Sequence, residues 1–302
     1  MAIAGDVHFT GRTATLLRDP ATAFGPITPV LQGADVAMVN LETAVTERGT
    51  PEPKEFHFRA PASAYAAVRA AGVDAVSLAN NHVLDYGRVG LFDTLDAATA
   101  AGVPVFGAGR DAATAYAPWL VTVHGTRIAV LGLSQIFTLA ETWGARDDRP
   151  GVALSHDLAR VRTAVAAARA AADVVVVFNH WGQESVNCPS KLQKDLTAVL
   201  IQAGADIVVG AHAHVLQGAG WSGRAFVAYG MGNFVWYGSS RSTETGVLML
   251  TVRGRSVVSW SLVPAVVSGT GQPVPLTGDA GERLKAKFAG LRGCAGLAAA
   301  PS

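Results

Sequence analysis

The stretch Val174-Val175-Val176-Val177-Phe178-Asn179-His180-Trp181-Gly182 opens on five apolar residues, four of them β-branched, and closes on an amide, an imidazole, an indole and a glycine. An unbroken Val run of this length is what a strand buried on both faces requires. An Ala-rich, helix-like segment precedes it at residues 157–172, and another follows at 190–203. Then the pattern recurs, with Ile207-Val208-Val209-Gly210-Ala211 running into His212-Ala213-His214. Working outward, further apolar runs stand at residues 2–4, 36–39, 75–78, 103–106 and 128–133, with helix-like segments at 62–71 and 89–101. Ser155 or Asp157 is placed to cap one helix, Pro189-Ser190 opens another, and Gly72 and Gly204 stand just past two helix ends. Strands alternating with helices indicate a layered α/β fold.

After about Arg224 the rhythm changes. Residues 225–229, 245–252 and 256–263 read as strands joined by short turns, Arg253-Gly254-Arg255 being one, so the chain is expected to finish in antiparallel strands. No internal repeat or linker interrupts residues 1–265. That span is therefore read as one domain, and 266–302 as a Gly/Pro/Ala-rich tail with a short helix near 282–291.

Composition narrows the function. The 302 residues are half hydrophobic, 16% charged and carry a net charge of +1, enough apolar side chain for a sizeable core and no basic field for a nucleic acid partner. No apolar run approaches the roughly 20 residues of a membrane span. Neither a signal peptide nor an anchor is visible. Because an apolar strand starts at the first residue and runs at once into Asp6, upstream sequence is expected to be missing. Cys188 and Cys294 are the two cysteines; they are either free thiols or a disulfide tying the tail to the body, the second suiting an exported protein.

Five apolar runs end in residues able to bind metal: Asp6-Val7-His8, Asn40-Leu41-Glu42, Asn80-Asn81-His82, Asn179-His180 and His212-Ala213-His214. Five of the eight histidines lie at these ends. Ligands of open α/β sheets bind outside the carboxyl ends of the strands. If the five strands are parallel neighbours, these side chains meet in one crevice. Mixed imidazole, carboxylate and amide donors suit Mn, Fe or Zn, and seven of them are too many for one tetrahedral ion, so two divalent ions sharing a carboxylate are expected. Taken singly, each piece has a plainer reading: Asp6 as a turn cap, His8 as a surface histidine, Asn80-Asn81 as turn residues, the spacing of His212 and His214 as coincidence. All of these must hold together for the metal reading to fail. As extended-chain neighbours at i and i+2, His212 and His214 are expected to point the same way.

The order Asp-x-His, acidic bridge, Asn-His, His, Gly-x-His-x-His resembles the calcineurin-like metallophosphoesterase superfamily. Within it the chain resembles the CapA family of capsule and poly-γ-glutamate synthesis proteins. Phe56-His57-Phe58-Arg59-Ala60-Pro61, Ala79-Asn80-Asn81-His82 with Asp85-Tyr86-Gly87, Gly107-Ala108-Gly109, His180-Trp181-Gly182-Gln183-Glu184, Gln193-Lys194 and Gly232-Asn233-Phe234 carry that resemblance, over residues 3 to 263. It implies a metallophosphatase-like sandwich of two mixed β-sheets packed face to face with helices outside. It implies that Asp6, His8 and His214 hold one ion, Asn81, His180 and His212 the other, and that Glu42 bridges. His82 is implied as the group that protonates a leaving group or steadies the transition state. Glu184 is a candidate acid/base or a support for the ligands. Two departures stand out: Thr43 replaces the Arg that phosphatases carry after the bridge, and Val83 replaces the acidic partner of the histidine, a place Asp85 is able to take.

For substrate binding the candidates are Arg59 as a bidentate partner for a carboxylate, Trp181, and Asn233 with Tyr229 from the rim; Lys54 and Arg241 are candidates for polyanion contact, or plain solvated charges. The resulting expectation is a metal-dependent hydrolase of capsule or poly-γ-glutamate metabolism, with metal-activated hydroxide attacking a γ-glutamyl polymer or related small anionic substrate. A capsule-synthesis membrane complex is the implied partner, and the cell envelope or the exterior the implied location. The rivals are a phosphoesterase acting on phosphate esters and a non-catalytic, polymer-binding export or anchoring factor.

Overall fold

The structure, a computed structural model, describes residues 1–136, 140–238 and 243–302. Two mixed sheets carry it. In the first, β1 (Ala2–Val7), β2 (Ala37–Leu41), β5 (Ala75–Ser77) and β6 (Val105–Phe106) run parallel in that order. On the far side of β1 the sheet continues antiparallel through β16 (Glu244–Arg253), β17 (Ser256–Val267) and β18 (Pro273–Pro275), while β15 (Asn233–Val235) pairs parallel with the end of β1. In the second sheet β9 (Thr126–Ser134), β11 (Val174–Trp181), β12 (Ile207–His212) and β14 (Ala225–Met231) are parallel, edged by antiparallel β8 (Trp119–Val123) and β13 (Leu216–Ser222). Two small ribbons complete the strands: β3 (Ala44–Val45) with β4 (Arg59–Ala60), and β7 (Ala108–Gly109) with β10 (Gly151–Val152).

Packing sorts by the two-residue period of the strands. On β11, Val174, Val176 and Phe178 face the core between the sheets, beside Ile3, Met38, Val209 and Phe226. Val175, Val177 and Trp181 face the opposite way, onto α6 (Leu158–Ala171) and α7 (Lys191–Ala203) through Val161, Val165, Leu196 and Leu200. The outer face of the first sheet is covered by α1 (Thr28–Gln32), α2 (Ser63–Ala70) and α3 (Gly87–Ala101) through Leu31, Tyr65, Val68 and Leu91. The order is therefore helices, sheet, sheet, helices, the layered sandwich of two mixed sheets that the family resemblance implies. Phe178 is fully buried, a placement that contributes about 1.5–3 kcal/mol over an exposed ring.

Local chemistry fixes the helix ends. Asp157 accepts a hydrogen bond from the Arg160 N–H and so caps α6; Ser190 and Gln193 form a reciprocal capping box on α7, which Gly204 ends at φ +119°. Short helices α4 (Ala112–Ala115) and α5 (Ala140–Trp143) lie on the connections of the second sheet. After β18 the chain forms α8 (Gly278–Gly290), whose Leu284 and Phe288 close the core between the sheets, and α9 (Arg292–Ala295), held to the body by a Cys188–Cys294 disulfide. Of the two readings of the cysteines, the bonded one is found. Among the described residues no helix is long and apolar enough to cross a membrane.

One glycine shows how closely the strands behind the site approach. A Cβ on Gly210 of β12 would lie 2.1 Å from both Trp181 Nε1 and the Tyr229 carbonyl, which are bonded to each other at 2.8 Å. Gly210→Ala is therefore expected to cost about 3 kcal/mol through overpacking, read as a lower midpoint in urea.

Candidate metal centre

The five metal-type strand ends do converge, but not as neighbours in one sheet. Asp6 and His8 close β1, Glu42 follows β2 and Asn80-Asn81 follows β5 in the first sheet; His180 on β11 and His212 on β12 come from the second. The carboxyl ends of the two parallel sets face each other across the sandwich, so the site bridges both sheets.

Glu42 sits at the centre, fully buried. Its Oε2 lies 2.9 Å from His8 Nε2, and its Oε1 lies 3.1 Å from His180 Nε2 and 3.9 Å from His82 Nε2. Burial pushes this carboxyl up, but the imidazoles of His180 and His8, by charge and hydrogen bonding, outweigh it and hold the group well below its ordinary value. Asp6, also fully buried, accepts from the His212 backbone N–H at 3.1 Å and stands 3.2 Å from His214 Nδ1. Burial would lower His214; the Asp6 contact, with the charges of Glu42, Asp6 and Glu184, raises it to about 9 instead. The His212 and His180 rings are 4.6 Å apart, and Asn81 Oδ1 lies 2.6 Å from His180 Nε2. Burial, followed by the like charges of His180 and His214, pushes His212 well down.

These donors fit divalent ions. In each of two groups, Glu42 with His180 and His212, and Asp6 with Glu42 and His214, the donor atoms lie within 4.8 Å of one another, and both groups contain Glu42. Buried His8 Nδ1 and His212 Nδ1 have no hydrogen-bond partner among the described residues. A buried collection of imidazole nitrogens and carboxylates is costly unless a cation accepts their lone pairs.

A second layer of amides orients the donors, a role that the sequence reading, which placed Asn40 at a strand end, did not give it. Asn40 Nδ2 donates to Asp6 Oδ1 at 2.7 Å and lies 3.1 Å from His180 Nδ1, while its Oδ1 accepts from Asn80 at 3.1 Å. The available signal was a single amide inside the apolar, fully buried strand β2. Asn40→Ala is expected to weaken metal binding about 10- to 100-fold, read by titration of the metal-free protein. Asp85 does take the place of the missing neighbour of His82: its Oδ2 lies 2.7 Å from His82 Nδ1. Burial, against the opposing Asp85 contact, brings His82 down to about 4. Phe58, Trp236 and Tyr237 pack around the His8 ring at 4.5, 4.7 and 5.4 Å. Phe58 entered the sequence reading only within the stretch 56–61 that carries the family resemblance, and Trp236 and Tyr237 were not singled out, because an aromatic residue beside apolar neighbours carries no signal of its own.

Several expectations are corrected. His212 and His214 do not share an extended segment: their φ values are +83° and +55°, so the chain turns there, and the turn brings the rings to 5.6 Å. Left-handed backbone at non-glycine residues costs on the order of 1–3 kcal/mol each and clusters at functional sites. Trp181 is not in the cleft; the strand's alternation sends it into the core beneath His180, with Tyr229 beside it at 5.8 Å and equally buried, so neither reaches the rim. Arg59 lies across its strand from Phe58 and stacks 3.4 Å over the Tyr86 ring, donating to the Arg48 carbonyl rather than to the cluster. Asn233 is buried on β15 in register with Asp6. Lys54 is not a solvated charge, since Nζ lies 2.7 Å from Asp85 Oδ1 and its side chain is 11% exposed. Glu184 is exposed, with a carboxylate oxygen within 4.8 Å of His212 and His214 donors. Arg241 lies outside the described residues.

The model of the bacterial capsule synthesis protein family PGA_cap matches residues 1–237. This chain belongs to that family. It is similar to the capsule biosynthesis protein CapA of Bacillus anthracis, 30% identical over 92% of this chain and 69% of the relative. It is also similar to the PGA biosynthesis protein CapA of Bacillus subtilis (strain 168), 28% identical over 85% and 67% respectively. Its fold is that of a solved 5′-nucleotidase from Candida albicans SC5314, with a TM-score of 0.51, 10% identity, and coverage of 97% of this chain and 57% of that one. The PGA_cap match spans every donor named above, from Asp6 to His214.

Proposed function

We propose that this PGA_cap protein is a two-metal enzyme that cleaves an anionic γ-glutamyl polymer during capsule synthesis or processing. The observation that carries the proposal is the sharing of Glu42 by two donor groups built from both sheets. Asp6, His8 and His214 would hold one ion, Asn81, His180 and His212 the other, and Glu42 both. Bound divalent ions would supply Lewis acidity to the cleft. His82 presents Nε2 to the cleft, where it takes a proton from water and can then pass it to a departing amine. Glu184, at the open edge, is the second carboxylate able to accept a proton. Phe58, Trp236 and Tyr237 exclude water from one side of His8, and Asn40 keeps Asp6 and His180 in place. Thr43, buried behind Glu42, offers no guanidinium to a phosphate, which favours a carbonyl substrate over a phosphate ester. The Cys188–Cys294 bond supports action outside the reducing cytosol, at the cell envelope and beside the membrane proteins of capsule synthesis.

Elemental analysis of the purified protein tests the centre, with about two ions per chain expected for a paired site. The loaded protein is then incubated with poly-γ-glutamate and with a generic phosphodiester. Shortening of the polymer is expected; turnover of the phosphodiester alone would overturn the substrate assignment. If His180→Ala lost its metal yet sustained capsule formation in cells, the protein would be a binding factor and not an enzyme.

A further inference from the structure

The loop of residues 52–58 grips His82 from its edge and its face. The Phe58 ring packs against the imidazole at 4.1 Å, and the Phe58 N–H donates to Asp85 Oδ2 at 2.5 Å. That same Oδ2 lies 2.7 Å from His82 Nδ1. Asp85 Oδ1 accepts from Lys54 Nζ at 2.7 Å. The ammonium also donates to the backbone carbonyl of Asn81, stands 3.2 Å from His82 Nδ1, and lies 5.1 Å from the Trp143 ring centre. One buried cation thus touches the residue before His82, the partner of His82, and the imidazole itself.

Two proton placements compete. With the proton on Nδ1, His82 donates to Asp85, and Lys54 spends its hydrogens on Asp85 Oδ1 and the Asn81 carbonyl. With the proton on Nε2, the Nδ1 lone pair would face a carboxylate lone pair at 2.7 Å, a repulsion that the longer 3.2 Å approach of Lys54 does not offset. The first arrangement satisfies Nδ1, Asp85 and Lys54, and it leaves the Nε2 lone pair free inside the cleft, 3.9 Å from Glu42 Oε1.

We infer that Lys54 is a positioning residue: by anchoring the Asp85 carboxylate and the Asn81 carbonyl, it fixes the Nδ1–H form of His82 and aims Nε2 at the reacting centre. The inference rests on the metal-centre reading for its catalytic meaning, but the proton placement is measurable without turnover. The charge of Lys54 is consumed internally, on Asp85, rather than offered to a polymer.

Nitrogen-15 NMR of the His82 ring in the full chain, metal-free and loaded with Zn2+, tests it. The wild-type protein is expected to show a protonated Nδ1 and an unprotonated Nε2. In Lys54→Met, with metal content and circular dichroism unchanged, the second tautomer is expected to rise to about a tenth of the molecules or more, and Lys54→Arg is expected to restore the wild-type pattern. Lys54→Gln serves if the Met variant does not fold. A wild-type ring protonated on Nε2, or a folded neutral variant that keeps the single Nδ1–H form, would overturn the inference. Absence of zinc uptake by the wild-type chain would instead refute the metal centre and leave the tautomer measurement standing.

Discussion

Glu42→Ala is expected to remove both metal ions together, taking the content from about two per chain to well under one, whereas His214→Ala is expected to leave about one. The difference follows from the geometry. Glu42 belongs to two of the three donor groups, so its loss breaks both and leaves only exposed Glu184 with His212 and His214; His214 belongs to the Asp6 and Glu184 groups, and its removal leaves Glu42, His180 and His212 in contact. A full complement of amide support around an emptied position does not compensate, because Asn40 and Asn80 hold the donors without replacing them. Metal loss that forfeits several kcal/mol of transition-state stabilisation lowers turnover by about 1,000-fold or more. Elemental analysis of the two variants, purified in parallel, reads the effect. Equal stoichiometry in Glu42→Ala and wild type would show that this carboxylate binds no ion.

Reduction of the Cys188–Cys294 bond, or Cys188→Ser, is expected to destabilise the chain by about 4–5 kcal/mol, since a closed loop of some 100 residues restricts the unfolded ensemble by that amount in the chain-entropy model. The separation here is 106 residues. At the entropy of unfolding of a chain this long, the loss corresponds to a fall in Tm of about 7 °C. Both cysteines are exposed, so a reductant reaches them in the folded protein. The bond matters locally as well. It joins α9 to the loop that follows β11, and that loop carries Glu184 and is held to the histidine turn by the Ser185 N–H donating to the Ala213 carbonyl at 2.8 Å. Thermal melts with and without a phosphine reductant check the prediction; identical curves would mean that the thiols are not paired in solution.

Some elements were legible because their signals are local. A Val-rich run excludes water on both faces whatever its neighbours, so β9, β11 and β12 could be read directly, and α7 announced itself through Pro189-Ser190 and Gly204. Strand β13 was not read: Leu216-Gln217-Gly218-Ala219-Gly220 has no apolar period, and it is held as a strand by pairing with β14 and by the chain that packs over its glycines. The short 3-10 turns between residues 11 and 27 likewise lack periodicity; Gly11, Pro20 and Gly25 mark breaks without saying what lies between them. Lys54 and Asp85 were ambiguous for another reason. A lone charge in a sequence is solvated far more often than buried, and only a contact 31 residues away turns this one into part of the site.

By itself the sequence determined the layered α/β class, the standing of metal-type residues at five strand ends, and the kind of ion such residue types favour, because strand burial and ligand chemistry are properties of residue types and short spacings. Only the tertiary structure decided that those ends belong to two sheets facing each other, that His212 and His214 meet through a left-handed turn, that Trp181 supports the site from the core, and that Asp85 and Lys54 hold His82. Those outcomes depend on distances between residues far apart in the chain, and such distances are set by how the two sheets pack.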